Sequence, residues 1–158
     1  MIRVLFVCLG NICRSPMAEA IFRHKIEAQG LGKQFKIQSC GTSNYHTGDN
    51  ADPRTIAVAR RHGITIDHCV RQFTEKDFDD FDFIFGMDRA NVKNMIRLAT
   101  PPDQKKKVHL MRDYDNIGKG GEVPDPYYGN EKSFQEVFDI LVRCTDHYID
   151  NLKRTQLH

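Results

Sequence analysis

A cysteine and an arginine six positions apart, set between an apolar run and a helix start, constrain this chain more than any other feature. The stretch reads VCLGNICRSP and runs from Val7 to Pro16. Residues 2–9, which overlap the start of this stretch, are rich in Val, Leu, Ile and Phe and predict a buried strand, while Ser15 and Pro16 predict an N-cap and a first helical position. Backbone N–H groups of a loop entering a helix converge on one point, so the sequence predicts an anion cradle here.

Cys8 and Arg14 give this cradle its chemistry. A helix N-terminus and a nearby guanidinium stabilise a thiolate, so Cys8 is expected to be an ionised nucleophile. Arg14 offers a planar fork of N–H donors that fits two phosphoryl oxygens. Ser15 has two compatible roles, donating its hydroxyl to the Cys8 sulfur and capping the helix. Gly10 and Asn11 suit close backbone approach and a left-handed conformation.

Residues 8–16 resemble the signature loop of the low-molecular-weight protein tyrosine phosphatases, an acid phosphatase family. Further matches follow in the expected order at Ser39–Ser43, Asp52–Arg54, Met87–Asp88 and Asp125–Gly129. Within the first of these segments the chain departs from the family at Cys40, where alanine is more usual. The resemblance implies one α/β domain over residues 1–158, with a central four-stranded parallel sheet, helices on both faces and a phosphate-binding loop at the C-terminal end of the first strand.

The alternation of apolar runs with helical patterns by itself predicts a parallel sheet with right-handed crossovers. The expected strands are residues 2–9, 35–40, 82–87 and 107–111. The expected helices are residues 16–29, 53–62, 89–98 and 131–153, with a short helix after Thr74. In such a sheet, ligands bind beyond the carboxyl ends of the strands, where the first loop begins.

The resemblance also implies a mechanism without a metal ion. Cys8 would attack phosphorus and form a phosphocysteine, while loop amides and Arg14 hold the phosphoryl oxygens. Asp125 would protonate the leaving phenolate and then act as base toward water. From the residues alone, Asp125 lies in a Gly- and Pro-punctuated loop but is not distinguished from Asp113 or Asp115. The expected phosphate-binding loop comprises Cys8, Leu9, Gly10, Asn11, Ile12, Cys13, Arg14 and Ser15.

Further residues take their roles from the same resemblance. Those expected to support the loop are Asn11, Ser15, Ser39, His68 and Asp88. Helix N-capping is the alternative for Asp88, and an ordinary packed or exposed histidine is the alternative for His68. The expected walls of a slot for an aryl group are Leu9, Ile12, Tyr45, Tyr127 and Tyr128. Tyr45 stands where relatives often have Trp, and phosphorylation of Tyr127 and Tyr128, known for such a pair in some eukaryotic members, is a hypothesis.

Cys13 lies inside the loop, and the resemblance implies a reversible disulfide with Cys8 that protects the nucleophile from over-oxidation. A small packing residue is the alternative. Five cysteines, an odd number without scaffold spacing, and an N-terminus that does not read as a signal peptide favour a cytoplasmic protein. Zinc at Cys40, His68 and Cys69 lacks paired ligand spacing, and no metal or cofactor is expected.

The net charge of +2 gives no strong attraction to nucleic acid, and no apolar stretch is long enough to cross a membrane. Expected partners are phosphotyrosine-containing proteins, with inorganic phosphate or similar oxyanions as product-like ligands. The sequence does not set the oligomeric state, for which a monomer is the default expectation. Two other functions stay open. One is arsenate reduction on the same fold, which would need redox cysteines where the chain has Phe78–Phe83; the other is phosphate binding without turnover.

Overall fold

The computed structural model describes residues 1–157 and is built around four strands. These are β1 (Ile2–Cys8), β2 (Phe35–Gly41), β3 (Phe83–Gly86) and β4 (Val108–Leu110). Every pairing is parallel, and the order across the sheet is β2-β1-β3-β4. The predicted four-stranded parallel sheet is therefore confirmed. Since β1 lies between β2 and β3, its carboxyl end stands where the strand order reverses, the point at which open α/β sheets bind ligands.

In the described part of the chain, six helices surround this sheet. They are α1 (Arg14–Ala28), α2 (Pro53–Arg61), α3 (Asp77–Asp80), α4 (Arg89–Leu98), α5 (Pro102–Lys105) and α6 (Glu131–Thr155). The long helices and the strands begin and end within two residues of their predicted bounds. Sequence reasoning missed α5 and the 3₁₀ turns at Gly32–Gln34 and Met111–Tyr114, because three or four residues carry no readable periodicity. The predicted domain extends to His158, which lies outside the described residues.

Side chains of β1 alternate between two apolar layers, because successive residues of a strand point to opposite faces. Val4 and Phe6 enter the larger layer, which contains the apolar faces of α1 and α6. Leu5 and Val7 enter a smaller layer with side chains of α3 and α4. Helices thus cover both faces of the sheet, as predicted. Within residues 1–157 no helix combines the length and apolar character needed to span a membrane.

Side-chain caps fix the starts of three helices. Asp52 accepts from Arg54 N ahead of α2, and Asp88 and Asn130 form capping boxes ahead of α4 and α6. The backbone N–H of Asp52 also donates to the carbonyl of Ile12 at 2.8 Å, which ties the start of α2 to the segment after β1. Each cap satisfies N–H groups that would otherwise lack partners.

Candidate active site

The segment that leaves β1 and turns into α1, residues 8–15, is called the Cys8 loop below. Cys8 is 3% exposed, and its Sγ accepts from the backbone N–H of Asn11 at 3.3 Å. Asn11 has φ +58°, the one positive φ among non-glycine residues of the described chain. A left-handed conformation at such a residue costs about 1–2 kcal/mol, so neighbouring groups must hold it in place.

The Asn11 amide is held from both sides. Its Nδ2 donates to Ser15 Oγ at 2.8 Å and to Ser39 Oγ at 3.1 Å. Its Oδ1 accepts from the backbone N–H of Arg71 at 3.3 Å and lies 2.9 Å from His68 Nε2. The structure thus brings the predicted support residues Ser39 and His68 together beneath the loop. Sequence reasoning missed Arg71, because a backbone N–H leaves no signature in the residue type.

Ser15 is fully buried, and its Oγ lies 2.9 Å from Cys8 Sγ. The prediction that Ser15 caps α1 with Pro16 as the first helical residue is wrong. Helix α1 begins at Arg14, and its N-cap residue Cys13 makes no capping hydrogen bond. Because the helix starts two residues earlier than expected, the Ser15 hydroxyl lies inside the first turn and points to the sulfur.

The Arg14 guanidinium is buried and anchored. Its Nη1 donates to Asp88 Oδ2 at 2.8 Å and to the carbonyl of Val123 at 3.1 Å. Its Nη2 lies 3.7 Å from Asp125 Oδ2. Burial alone would lower the pKa of Arg14, but nearby Cys8 and Asp88 outweigh burial, and the pKa is raised above its usual value. The guanidinium therefore stays charged and fixed in one orientation.

Asp88 makes the contacts expected for both of its alternative roles, capping of a helix and support of the Cys8 loop. Its Oδ1 caps α4 by accepting from Asn91 N at 2.8 Å, while Oδ2 accepts from Arg14. Each oxygen of one carboxylate thus has its own partner. The start of α4 and the orientation of the guanidinium are fixed by the same side chain.

Asp125 and Asp115, two of the three acids that the sequence left open, lie in different surroundings. The Asp125 side chain is 47% exposed at the rim above Cys8, and its Oδ1 accepts from Tyr127 N at 3.1 Å. Asp115 is instead buried between Arg112 and Arg143, at 2.9 and 3.1 Å. Burial would raise the pKa of Asp115, but hydrogen bonds led by that from Arg143 hold it far below its usual range. Asp115 is thus a permanently charged structural anchor.

A cavity of about 200 Å³ opens above the sulfur, and we call it the Cys8 cavity. Its lining consists of Cys8, Leu9, Gly10, Ile12, Cys13, Arg14, Tyr45, His46, Asp125, Tyr127 and Tyr128. All five predicted wall residues are in this set. The rings of Tyr127 and Tyr128 meet edge to face, with centroids 5.0 Å apart. The cavity therefore combines an apolar wall with a charged floor.

Sequence reasoning missed His46, which lines this cavity, and Arg54, which contacts the wall residue Tyr127 from outside the lining. His46 packs so closely on the loop that a Cβ at Gly10 would lie 3.2 Å from its Cδ2. Arg54 places its guanidinium 5.5 Å from the ring centroid of Tyr127 while binding Asp52 at 2.9 Å. A lone histidine in a polar loop has no distinctive pattern. Arg54 lay inside a matched segment but was given no role.

The cysteines are all free thiols. Burial, followed by the charge of Asp52, raises the pKa of Cys13 to about 12, so this thiol is neutral at physiological pH. Burial likewise raises the pKa of Cys40. Cys69 is exposed. Over residues 1–157, no three His, Cys, Asp or Glu side chains are grouped as a metal-binding cluster.

Comparison with known proteins agrees with this geometry. A family model described as "Low molecular weight phosphotyrosine protein phosphatase" matches residues 3–157. The protein of that name from Schizosaccharomyces pombe is 43% identical over 152 residues, covering 96% of this chain and 97% of the relative. A low molecular weight protein-tyrosine-phosphatase from Streptomyces coelicolor is 45% identical over 141 residues, covering 88% and 86%.

Solved structures agree as well. A protein tyrosine phosphatase from Entamoeba histolytica, with Hepes in its active site, has a TM-score of 0.94 at 40% identity and covers 99% of this chain and 100% of its own. An arginine phosphatase from Drosophila has a TM-score of 0.88 at 30% identity and covers 95% and 97%. The chain belongs to the low-molecular-weight phosphotyrosine protein phosphatase family and is an enzyme of the protein tyrosine phosphatase class.

Proposed function

We propose that the protein hydrolyses phosphotyrosine in proteins, and small aryl phosphates, through a phosphocysteine on Cys8 and without a metal ion. The observation that carries the proposal is the convergence of Cys8, Arg14 and Asp125 on one cavity at the end of β1. A nucleophile, an anion-binding fork and an acid are the three groups that this reaction needs.

In the first step the Cys8 thiolate attacks phosphorus in line. The S–P bond forms and the bond from phosphorus to the aryl oxygen breaks, while Asp125 gives its proton to that oxygen. The side chain of Asp125 lies at the rim, where a leaving group would stand, and Tyr127 N orients its carboxyl group. A phenolate is a poor leaving group at mildly acidic pH, so the proton lowers the barrier.

In the second step water attacks the phosphorus of the phosphocysteine. Asp125 takes a proton from the water, the S–P bond breaks, and inorganic phosphate leaves with the thiolate restored. The Ser15 hydroxyl, 2.9 Å from Cys8 Sγ, supports the sulfur as negative charge returns to it. Arg14 and the amides of the Cys8 loop bind the phosphoryl oxygens in both steps.

Selectivity for an aryl phosphate follows from the shape of the Cys8 cavity. Leu9, Ile12, Tyr45, Tyr127 and Tyr128 line it, and Tyr45 and Tyr128 are the most exposed of these residues. A flat ring fits between such walls, whereas a short phosphoserine would not bring its phosphate down to the sulfur. The substrates proposed are therefore phosphotyrosine-containing proteins.

We also propose regulation by a disulfide and by tyrosine phosphorylation, and a cytoplasmic location. Cys13 lines the same cavity as Cys8, which supports a reversible disulfide between them when a peroxide takes two electrons and two protons from the two thiols and is itself reduced. Tyr128 is 97% exposed and so is accessible to a kinase, as phosphorylation of the tyrosine pair requires. Five free cysteines agree with a reducing compartment such as the cytoplasm, where we expect a monomer.

Arsenate reduction is less well supported. A cysteine relay needs thiols that can reach one another, but Cys40 and Cys144 are fully buried away from the cavity lining. Cys13 is the one thiol besides Cys8 in that lining. The residues near β3, Phe78–Phe83, contain no cysteine.

The deciding experiment is steady-state hydrolysis of a phosphotyrosine peptide at mildly acidic pH with EDTA present, comparing the reduced protein with its Cys8→Ser variant. We expect turnover that EDTA does not affect and that the variant lacks. A phosphoarginine peptide serves as the comparison substrate, since one structural relative is an arginine phosphatase. No turnover by the reduced protein would favour a binding module, and faster phosphoarginine hydrolysis would reassign the substrate.

A further inference from the structure

Beneath the Cys8 loop, on the side away from the Cys8 cavity, the chain of hydrogen bonds ends at a carboxylate of α1. Glu19 Oε1 accepts from Ser39 Oγ at 2.7 Å, and Oε2 accepts from Arg23 Nη2 at 2.8 Å. The Glu19 side chain is 20% exposed and lines a rear cleft of about 330 Å³ together with Arg23, Glu27 and His68, whose Nδ1 lies 4.0 Å from Glu19 Oε1. The reaction proposed above gives Glu19 no role.

The hydrogen atoms in this series of hydrogen bonds can be assigned one after another. A backbone N–H only donates, so the atom that faces Arg71 N must be the oxygen of the Asn11 amide. The nitrogen of that amide therefore donates both of its hydrogens, to Ser15 Oγ and Ser39 Oγ. Each hydroxyl accepts one of these bonds and keeps one hydrogen of its own to donate.

Glu19 decides where the Ser39 hydrogen goes. An ionised carboxylate only accepts, so the Ser39 hydrogen points to Glu19 and the Ser39 lone pairs stay free for Asn11. Without this acceptor, the Ser39 hydrogen would compete with the donor hydrogens of Asn11. The amide would then lose one of the contacts that hold it, and with it the direction of its bond to Ser15.

The last hydrogen in the chain is that of Ser15. Its Oγ accepts from Asn11, so its hydrogen is available to Cys8 Sγ at 2.9 Å or to the Cys40 carbonyl at 3.3 Å. The sulfur is nearer, and as a thiolate it is the stronger acceptor. We propose that Glu19 is a positioning residue that fixes the direction of this chain and so keeps the Ser15 hydrogen on the Cys8 sulfur.

This inference rests on the proposed function only in taking Cys8 as the nucleophile. The test therefore measures the sulfur itself. Alkylation of Cys8 by iodoacetate, quantified by mass spectrometry across a pH series, reports the thiolate fraction whether or not the protein turns over. The kcat and KM for an aryl phosphate are measured beside it, so failure of turnover and failure of the Glu19 inference give different results.

Glu19→Met removes both carboxylate oxygens at similar side-chain volume. We expect the midpoint of the alkylation curve to rise by about one pH unit and kcat to fall about tenfold, with KM changed less than about twofold. Glu19→Gln keeps an oxygen for Ser39, since the half-exposed Arg23 can turn to solvent. This conservative variant is expected to restore the midpoint and most of kcat.

Glu27→Met is the matched control, because Glu27 lies on the same helix and lines the same cleft. Glu27 makes no hydrogen bond to Ser39, Asn11 or Ser15. Its alkylation curve is expected to superpose on that of the parent protein. A shift in both Met variants would mean a general charge effect and would overturn the inference. A Glu19→Met protein that melts earlier but keeps its alkylation curve would also overturn it.

Should Glu19→Met fail to fold, Glu19→Asp decides the question. The shorter side chain keeps the charge and withdraws the oxygen from Ser39, so we expect the alkylation midpoint to move in the same direction. An Asp variant with the parent curve would reject the positioning role.

Discussion

The underside of the Cys8 loop and the mouth of the Cys8 cavity are built on opposite principles. Beneath the loop, Asn11 and Ser15 are fully buried, and each polar side-chain atom has a partner. At the mouth, Tyr45 is 75% exposed and Tyr128 is 97% exposed. Buried, fully bonded groups hold one geometry, whereas exposed rings can adjust to different peptides. The groups that carry out the chemistry are thus preorganised, while the groups that would contact a substrate peptide can adapt to it.

The largest effect is expected where the two regions meet, at Arg14. Arg14→Lys keeps the charge but loses the planar fork, and one ammonium cannot serve both Asp88 and a phosphoryl group. We expect kcat/KM for an aryl phosphate to fall about 10³-fold. Arg23→Lys on the same helix is the control and should change kcat/KM less than about twofold. A similar loss in both variants would show that the effect is not specific to the anion site.

The next effect concerns the acid at the rim. Asp125→Asn should slow phosphotyrosine hydrolysis about 10²-fold and slow an activated aryl phosphate much less, because a better leaving group needs no proton. The parent protein should show a bell-shaped rate profile centred on mildly acidic pH. Because its amide has no acidic proton to give to a leaving group, the Asp125→Asn variant should lack the alkaline limb of that profile.

Asp113→Asn supplies the control for the acid, because Asp113 is exposed and lies outside the Cys8 cavity. It should leave the ratio between the two substrates unchanged. Equal losses on both substrates in Asp125→Asn would remove Asp125 from the role of acid.

The hydrogen bonds beneath the Cys8 loop can be removed at their centre by replacing Asn11. Asn11→Ala removes the amide and keeps a strained left-handed backbone, so we expect a loss of about 2–3 kcal/mol in the free energy of unfolding. Asn11→Gly removes the same amide but relieves the strain, and should lose about 1 kcal/mol less. Urea unfolding of the two variants separates the hydrogen bonds from the backbone. Equal stability of the two would mean that the positive φ stores no strain.

The smallest effect is expected for a substitution at the mouth of the Cys8 cavity. Tyr128→Ala removes a ring that is almost fully exposed, so its unfolding free energy should change by less than about 0.5 kcal/mol. We expect KM for a phosphotyrosine peptide to rise a few-fold, about 1 kcal/mol of lost contact, with kcat unchanged. Steady-state kinetics on peptide and on free phosphotyrosine check this. A fall in kcat would mean that the mouth contributes to the chemistry.

The fold was largely predictable because its signals are local. The apolar runs of β1 to β4 and the helical periods between them give the parallel sheet without any long-range information. The predicted start of α1 was wrong, because Ser15 and Pro16 have the sequence pattern of an ordinary helix cap. The hydrogen bonds of Ser15 to Cys8 and Asn11 override that pattern, and Asn11 is itself held by Ser39 and His68 from distant parts of the sequence.

The site was predictable where a residue type carries the chemistry itself, as for Cys8 and Arg14. It was not predictable where a common residue acts through position. In the sequence Glu19 resembles any solvated glutamate of a helix, and only folding brings its carboxylate 2.7 Å from Ser39 Oγ, twenty residues away. His46 is similar, because nothing in its neighbours in sequence indicates that it will pack on Gly10.

The placement of the nucleophile at the end of the central strand also bears on how activity is lost. The carbonyl of Val7 accepts from Met87 N at 3.1 Å, and the carbonyl of Cys8 accepts from Thr42 N at 2.9 Å, so segments on both sides of the strand hold its last residues. Strands bonded on both edges exchange their amide hydrogens only through the largest openings of a protein. Heat inactivation and global unfolding should therefore coincide in one transition, with no partly open form in which the enzyme stays folded but inactive.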